Sequence, residues 1–193
     1  MARPREFEVD QALRDAAEVF RTKGYHAASL EDLTQGTGLA KGSLYKAFHD
    51  KKSLFLGAFV LYATENRQRF VETLEAPGSP KQAIRATLVG YVERARATGG
   101  SAGCLITNTA VELGVGDAEI AAEVRLSFQR RTALLEAAVR RAQGAGEVAA
   151  SKDARALAEF LELVVQGLRV LVKTNPDEAA LLRAIEVAMG ALV

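Results

Sequence analysis

Apolar residues recur with the period of an α-helix along almost the whole chain. Val9, Leu13, Ala16, Ala17 and Phe20 fall on one helical face, and Gly24 follows where this first helix is expected to end. No segment shows the strict alternation typical of a strand. Similar apolar stripes predict further helices at about residues 29–36, 41–48, 51–74, 80–97, 103–113 and 117–144, and two more that begin near residues 151 and 175. The pattern therefore predicts an all-α protein of about nine helices.

Breaks in this pattern indicate how the chain is organised. The fourth helix has a wholly polar stretch over residues 64–69, which is typical of a helix that bridges two compact units. Residues 77–80, Pro-Gly-Ser-Pro, form the clearest break in the chain, and Gly99-Gly100-Ser101 predicts a turn. We expect an amino-terminal domain over residues 1–50 and a second helical domain over residues 51–193.

Composition excludes several classes of protein. With 49% hydrophobic residues among 193, the chain can build a sizeable core. A single Cys and two His without metal-ligand spacing argue against a disulfide framework and against a metal site, and no cofactor is expected. The chain has no apolar run long enough for a membrane span and no apolar signal core at its start, so we expect a cytoplasmic protein.

Positive charge is concentrated near the second and third predicted helices. Residues 40–52 contain Lys41, Lys46, Lys51 and Lys52 against Asp50 alone, although the net charge of the whole chain is only +1. Two short helices joined by a turn that contains Gly38 are what a helix-turn-helix requires. Lysines and unpaired amides at the start of a short helix suit the phosphates of duplex DNA. The segment from Ser29 to Phe48 therefore predicts a DNA-binding motif.

The same segment resembles the tetracycline-repressor (TetR) family of bacterial regulators. The resemblance rests on residues 20–25 (FRTKGY), 29–33 (SLEDL), 38–45 (GLAKGSLY) and 48–54 (FHDKKSL), in the family's order and spacing. It implies a three-helix DNA-binding domain, a helical effector domain and a homodimer. It assigns DNA contact to a set of exposed small, aromatic and basic residues: Ser29, Lys41, Gly42, Ser43, Tyr45, Lys46 and Lys51.

Two residues depart from the family pattern in this motif. Ala40 stands where the family usually has Ser or Thr, so we expect the third helix to lack its hydroxyl cap, at a cost of about 1 kcal/mol. His49 stands where proline is common, and we expect this to leave the turn before the fourth helix less rigid.

The remainder of the chain predicts an effector pocket and a dimer interface. Polar and aromatic side chains of helices four to eight are the pocket candidates: Tyr62, Phe70, Tyr91, Asn108, Glu112, Phe128 and Phe160. Cys104 is a further candidate, because Gly103-Cys104-Leu105 resembles a motif of family members whose cysteine senses electrophiles and oxidants. Helices eight and nine are more apolar than one small core needs, and by resemblance they pair with their two-fold mates.

The sequence thus indicates a DNA-binding regulator, most simply a repressor that a small-molecule effector releases from its operator. A cysteine-based sensor of electrophiles and oxidants is one alternative. An activator or nucleoid-type DNA binder without a ligand is another, and a helical interaction module that has lost DNA binding is a third. An all-α enzyme is disfavoured, because no arrangement of Ser, His and Asp or of Cys and His supports catalysis.

Overall fold

Helices account for all of the regular structure in the part of the chain that the computed structural model describes, which is residues 3–97, 103–174 and 177–193. The predicted all-α fold is confirmed. The predicted turn at Gly99-Gly100-Ser101 and the helix-start signal at Asn175-Pro176 lie outside these residues. The helices are α1 (Arg3–Lys23), α2 (Leu30–Thr37), α3 (Lys41–Phe48), α4 (Lys51–Leu74), α5 (Pro80–Ala97), α6 (Leu105–Leu113), α7 (Ala118–Gly144), α8 (Ala154–Leu171) and α9 (Glu178–Gly190), with a short 3₁₀ turn at Val172–Thr174.

Short polar side chains begin several of these helices. Ser29 and Asp32 form a reciprocal capping box at the start of α2, each side chain accepting a hydrogen bond from the backbone amide of the other residue. Asp153 and Asp177 accept hydrogen bonds from the first amides of α8 and α9. Since these caps satisfy amides that a helix leaves unpaired, they explain why sequence signals locate the helix starts well.

The described residues divide into two compact units, each with its own core. The first comprises residues 1–66 and 104–124, so α6 and the start of α7 belong with the amino-terminal helices. Within it, α1 packs against α2 and α6, and Phe20 lies edge-on to Phe55 with ring centroids 5.0 Å apart. The unit boundary at residues 66 and 67 falls inside the polar stretch of α4. The functional division at residues 1–50 and 51–193 stays a prediction.

The second unit comprises residues 67–103 and 125–193 and is built on α5, α8 and α9, which pack against one another. Its core is aliphatic and includes Ile84, Leu88, Leu135, Leu161 and Ile185, all fully buried. Burial of such side chains contributes about 1.5–3 kcal/mol each to folding.

Helix α8 has apolar side chains on two sides, of which Leu161, Val165 and Leu168 are buried in the core. Glu162 and Arg169 are buried, whereas Phe160, Leu163 and Val170 are exposed, Leu163 to 71%. A second apolar face of α8, on the side away from the core, is therefore left uncovered by the described residues.

No helix within the described ranges is long and apolar enough to cross a bilayer. The same ranges contain no cluster of three His, Cys, Asp or Glu side chains able to hold a metal ion.

Candidate nucleic-acid interface

The helix-turn-helix predicted from the sequence is formed by α2, the turn at residues 38–40, and α3. Gly38 ends α2 with a left-handed backbone (φ 66°), a conformation that glycine adopts without the strain of a Cβ. Leu33 of α2 and Leu44 of α3 are buried to 1% and 3% exposure and hold the two helices together. Leu44 is the only buried residue of α3, so most of this helix is turned to solvent.

The exposed side of α3 presents small residues at its start and larger ones after them. Lys41, Gly42 and Ser43 occupy the first turn, and no side chain caps this end, since the residue at the cap position is Ala40. The expected loss of the hydroxyl cap is confirmed. The first amides of a helix have no partner within it, so this end is open to an external acceptor such as a phosphate oxygen.

Tyr45 follows on the same helix and is 43% exposed, with the amino group of Lys41 lying 6.0 Å from the centre of its ring. The ring of Tyr45 also borders a small apolar pocket whose walls include Leu30, Leu33 and Phe48. Lys46 is exposed beside Tyr45. The arrangement offers an aromatic ring and two cations at one exposed surface.

The two lysines at the start of α4 have different surroundings. The amino group of Lys52 lies 2.7 Å from Asp117 and 2.9 Å from Glu119, and these hydrogen bonds raise the pKa of Lys52. Lys51 instead lies over the ring of Tyr25, 4.8 Å from its centre, with a 3.4 Å approach to the carbonyl oxygen of His26. Among the described residues, Lys51 forms no ion pair, so its charge remains available to a phosphate.

Ser29 is engaged in the capping box and has an acidic neighbour. The carboxylate of Asp32 accepts a hydrogen bond from the Ser29 amide and also pairs with Lys23. The Lys23 hydrogen bond, followed by those from Ser29, lowers the pKa of Asp32 to about 2. The hydroxyl of Ser29 thus lies beside a carboxylate that is ionised at neutral pH.

The turn between α3 and α4 has an unusual backbone at His49. This residue adopts φ 67° and ψ −56°, and it is the only non-glycine residue with positive φ in the described ranges. Its amide donates to the carbonyl oxygen of Tyr45, and the Asp50 amide donates to that of Phe48. Proline has φ near −65° and no amide hydrogen, so the residue that is common in the family does not fit this geometry. Asp50 then caps α4 by accepting from the Ser53 amide.

Four of the predicted effector-site residues belong to the first unit. Tyr62 is half-buried on α4, and Cys104 is buried immediately before α6. Asn108 donates to the carbonyl oxygen of Arg21 at 3.1 Å, and the carboxylate of Glu112 accepts from the amides of Tyr25 and His26 at 2.8 and 2.7 Å. Asn108 and Glu112 therefore fasten α6 to the carboxyl-terminal end of α1. The structure gives them an architectural role that the sequence did not predict.

The remaining predicted effector-site residues lie in the second unit. Phe70 is buried, Tyr91 and Phe128 are half-buried, and Phe160 is on the exposed apolar face of α8. Sequence reasoning missed Arg131, Glu162 and Arg169, which are buried polar residues of this unit. The recurrence of polar residues every three or four positions along α8 was visible in the sequence. Periodicity alone does not tell a solvent-facing stripe from a buried one.

Two protein-family models match the chain. One, described as bacterial regulatory proteins of the tetR family, matches residues 12–58, and the other, a tetracyclin repressor-like C-terminal domain, matches residues 80–188. These two segments include both halves of the helix-turn-helix and most of the second unit.

Curated relatives and solved structures agree with the family models. The chain is 34% identical to the uncharacterized HTH-type transcriptional regulator YezE of Bacillus subtilis over the full length of both chains. It is 28% identical to the HTH-type transcriptional repressor ComR of Escherichia coli, covering 96% of this chain and 88% of ComR. A solved structure of the regulator CifR, a cysteine mutant in complex with 26-base-pair double-strand operator DNA, is 29% identical with a TM-score of 0.83, covering 95% of this chain and 96% of CifR.

Proposed function

This chain belongs to the TetR family of bacterial DNA-binding transcriptional regulators, and we propose that it is a repressor that a small-molecule effector releases from its operator. The observation that carries the proposal is the exposed basic and aromatic side of α3, on the opposite side of the helix from buried Leu44. The relative ComR is a transcriptional repressor, which supports repression rather than activation by this chain.

We assign base contacts to Tyr45 and Lys46, and phosphate contacts to Lys41, Lys51, Ser29 and the first amides of α3. Gly42 and Ser43 allow the backbone of α3 to approach the DNA because neither has a bulky side chain. An α-helix fits the major groove of B-DNA, which is about 12 Å wide. Lys52 is excluded from the assignment, since Asp117 and Glu119 already neutralise its charge.

The exposed apolar face of the second unit supports dimerisation through α8 and α9. On α8 this face comprises Ala156, Phe160, Leu163, Gly167, Val170 and Leu171, and on α9 it continues with Ala180, Ala184 and Val187, the last exposed to 77%. An isologous interface on this face buries apolar surface that one chain leaves in water. Two copies of α3 then read two half-sites of a roughly palindromic operator.

Repression ends when the effector favours a dimer whose two copies of α3 no longer match the operator spacing. An effector shifts this equilibrium only by its differential affinity for the two states. Because helix α4 has residues in both units, we assign it the role of transmitting the effect of the effector to the spacing of the two copies of α3. We assign no catalytic role to the chain, and its site of action is the cytoplasm, where bacterial DNA lies.

The proposal is tested by selecting operator sites from genomic DNA and measuring their affinity at several salt concentrations. Lys51→Ala should reduce the slope of log K against log salt by about 2, one phosphate contact for each subunit of the dimer. Lys52→Ala is the matched control, since its charge is already paired, and its slope should stay close to that of the native chain. Tyr45→Ala should weaken operator binding at least tenfold without changing the melting temperature.

Selection of no specific site, or unchanged affinity in both Lys51→Ala and Tyr45→Ala, would contradict the assignment of this face. Loss of binding in Lys52→Ala that equals the loss in Lys51→Ala would show that general charge, rather than a positioned phosphate contact, drives the affinity.

A further inference from the structure

A stripe of polar side chains runs along α8 in the second unit, between the buried and the exposed apolar residues of this helix. Glu162, Gln166 and Arg169 are spaced i, i+4 and i+7, and Glu162 and Arg169 are almost completely buried. Burial of charged groups costs several kcal/mol unless they are paired. A stripe of this kind in an otherwise aliphatic core therefore needs a specific reason.

The first part of the stripe is paired within the chain. Arg131 of α7 donates two hydrogen bonds to the Glu162 carboxylate, at 2.6 and 2.7 Å, and Gln166 donates a third at 2.6 Å. Opposite charges with this two-pronged geometry compensate each other well. This part of the stripe thus adds no net charge.

The second part of the stripe gathers positive charge around one tyrosine. Arg169, only 3% exposed, donates to the hydroxyl of Tyr91 at 3.1 Å, and its guanidinium carbon lies 4.9 Å from the centre of the Tyr91 ring. The guanidinium of Arg94 lies at the same distance, 4.9 Å, from that ring. We call Tyr91, Arg94 and Arg169 the arginine–tyrosine cluster.

Like charges repel within this cluster. Partial burial of its guanidinium lowers the pKa of Arg94, and the nearby charges of Arg169 and Arg69 lower it further. The guanidinium groups of Arg94 and Arg169, both 4.9 Å from the ring centre, produce a positive potential at Tyr91 that would attract an anion. The cluster extends from buried Arg169 through half-buried Tyr91 to exposed Arg94, so its charged end is open to solvent.

The surroundings of the cluster are aliphatic. Leu88 and Val92 flank Tyr91 on α5, and Val165 and Leu168 precede Arg169 on α8, all four belonging to the core. A ligand whose anionic group meets the guanidinium groups would lie at the edge of this aliphatic core.

We propose that the arginine–tyrosine cluster is an effector site for an amphiphilic anion, a carboxylate or a phosphate monoester carried on an apolar body. The guanidinium fork of arginine matches the oxygens of both groups. This inference rests on the proposed function, because it names the chemical class of the effector. The Tyr91 candidate predicted from the sequence belongs to this site, whereas Asn108 and Glu112 do not.

The test uses the full-length chain and matched ligands that differ in charge. Octanoate, phenylacetate and octyl phosphate are compared with neutral octanamide and phenylacetamide, by the shift of melting temperature and by isothermal titration calorimetry. At least one anion should bind, and its amide should bind at least tenfold more weakly. The head group that binds more tightly, carboxylate or phosphate, identifies the anion.

Two substitutions locate the binding. Arg94→Gln, at an exposed position, and Arg169→Lys, which keeps the buried charge but removes the fork, should each weaken binding of that anion at least tenfold. Arg130→Gln, at an exposed position of α7, is the control and should leave binding unchanged. Binding of the amides as tight as that of the anions, or native affinity in both variants, would overturn the proposal, as would the failure of every anion to bind.

The operator measurement separates this inference from the proposed function. If the chain binds its operator but none of the anions, the inference fails and the function stands. If no operator is bound while an anion still binds at the cluster, the regulator assignment fails and the site is retained.

Discussion

Glu112 provides a direct test of whether α6 stabilises the DNA-binding helices. Its carboxylate accepts hydrogen bonds from the amides of Tyr25 and His26, residues 87 and 86 positions earlier in the chain. Glu112→Ala leaves both amides without this acceptor. Hydrogen bonds to a charged group contribute about 1.5–3 kcal/mol each when desolvated. The bond to His26 is exposed, so water replaces much of it, and the expected total loss is about 2–3 kcal/mol.

For a chain of this length, such a loss lowers the melting temperature by roughly 4–12 °C. Circular dichroism during heating measures the shift, and urea unfolding measures the free energy directly. Val111→Ala is the matched control, since Val111 is the preceding residue, is 83% exposed and should change stability by less than about 0.5 kcal/mol. Glu112→Gln keeps one acceptor oxygen and should lose less than Glu112→Ala. A melting temperature within 1 °C of the native value for Glu112→Ala would refute the argument that these hydrogen bonds hold α6 to α1.

Three further predictions follow from local geometry. Ala40→Ser should restore the missing cap of α3 and raise unfolding free energy by about 0.5–2 kcal/mol, measured by urea unfolding; a lower value would contradict the capping argument. Arg131→Met should cost about 3–5 kcal/mol in urea unfolding because it removes the partner of the buried Glu162 carboxylate, and Arg131→Met with Glu162→Met should recover much of that loss; a double variant as unstable as Arg131→Met would contradict this. Because the pKa of Asp32 is lowered to about 2, its ionised carboxylate stabilises the folded chain above a pH of about 4, and this contribution is lost as the pH falls through 2. Asp32→Asn should therefore reduce the fall in melting temperature over that interval, and an unchanged pH profile would count against the Lys23 and Ser29 contacts.

Local signals located most of the helices and the DNA-binding motif. The start of α2 follows from Ser29 and Asp32, whose side chains and amides are three residues apart, and the end of α2 follows from Gly38. The exposed side of α3 follows from Leu44 alone, because one buried position on an eight-residue helix determines which residues face away from it. These interactions join residues that are close in sequence, so the local sequence specifies them without the tertiary fold.

Two of the effector-site candidates, whose role in binding an effector stays a prediction, have partners that local reasoning did not indicate. Asn108 and Glu112 share one face of α6, as their spacing indicates, but the partners of that face are Arg21, Tyr25 and His26 at the end of α1. The conformation of His49 was also not predicted. With this positive φ, the amides of His49 and Asp50 donate to carbonyl oxygens of Tyr45 and Phe48 at the end of α3. The conformation is strained for a residue with a Cβ.

Periodicity and capping residues were enough to specify the order of helices, the helix-turn-helix and the residues that its third helix exposes. They did not specify that Glu162 and Arg169 of α8 are buried beside its core residues, because polar residues that recur at helical spacing are usually exposed. The partners that decide it, Arg131 on α7 and Tyr91 on α5, are 31 and 78 residues away from Glu162 and Arg169 respectively. Only folding brings these groups into hydrogen-bonding distance, and that pairing offsets the cost of burying Glu162 and Arg169 beside the apolar core residues of the same helix.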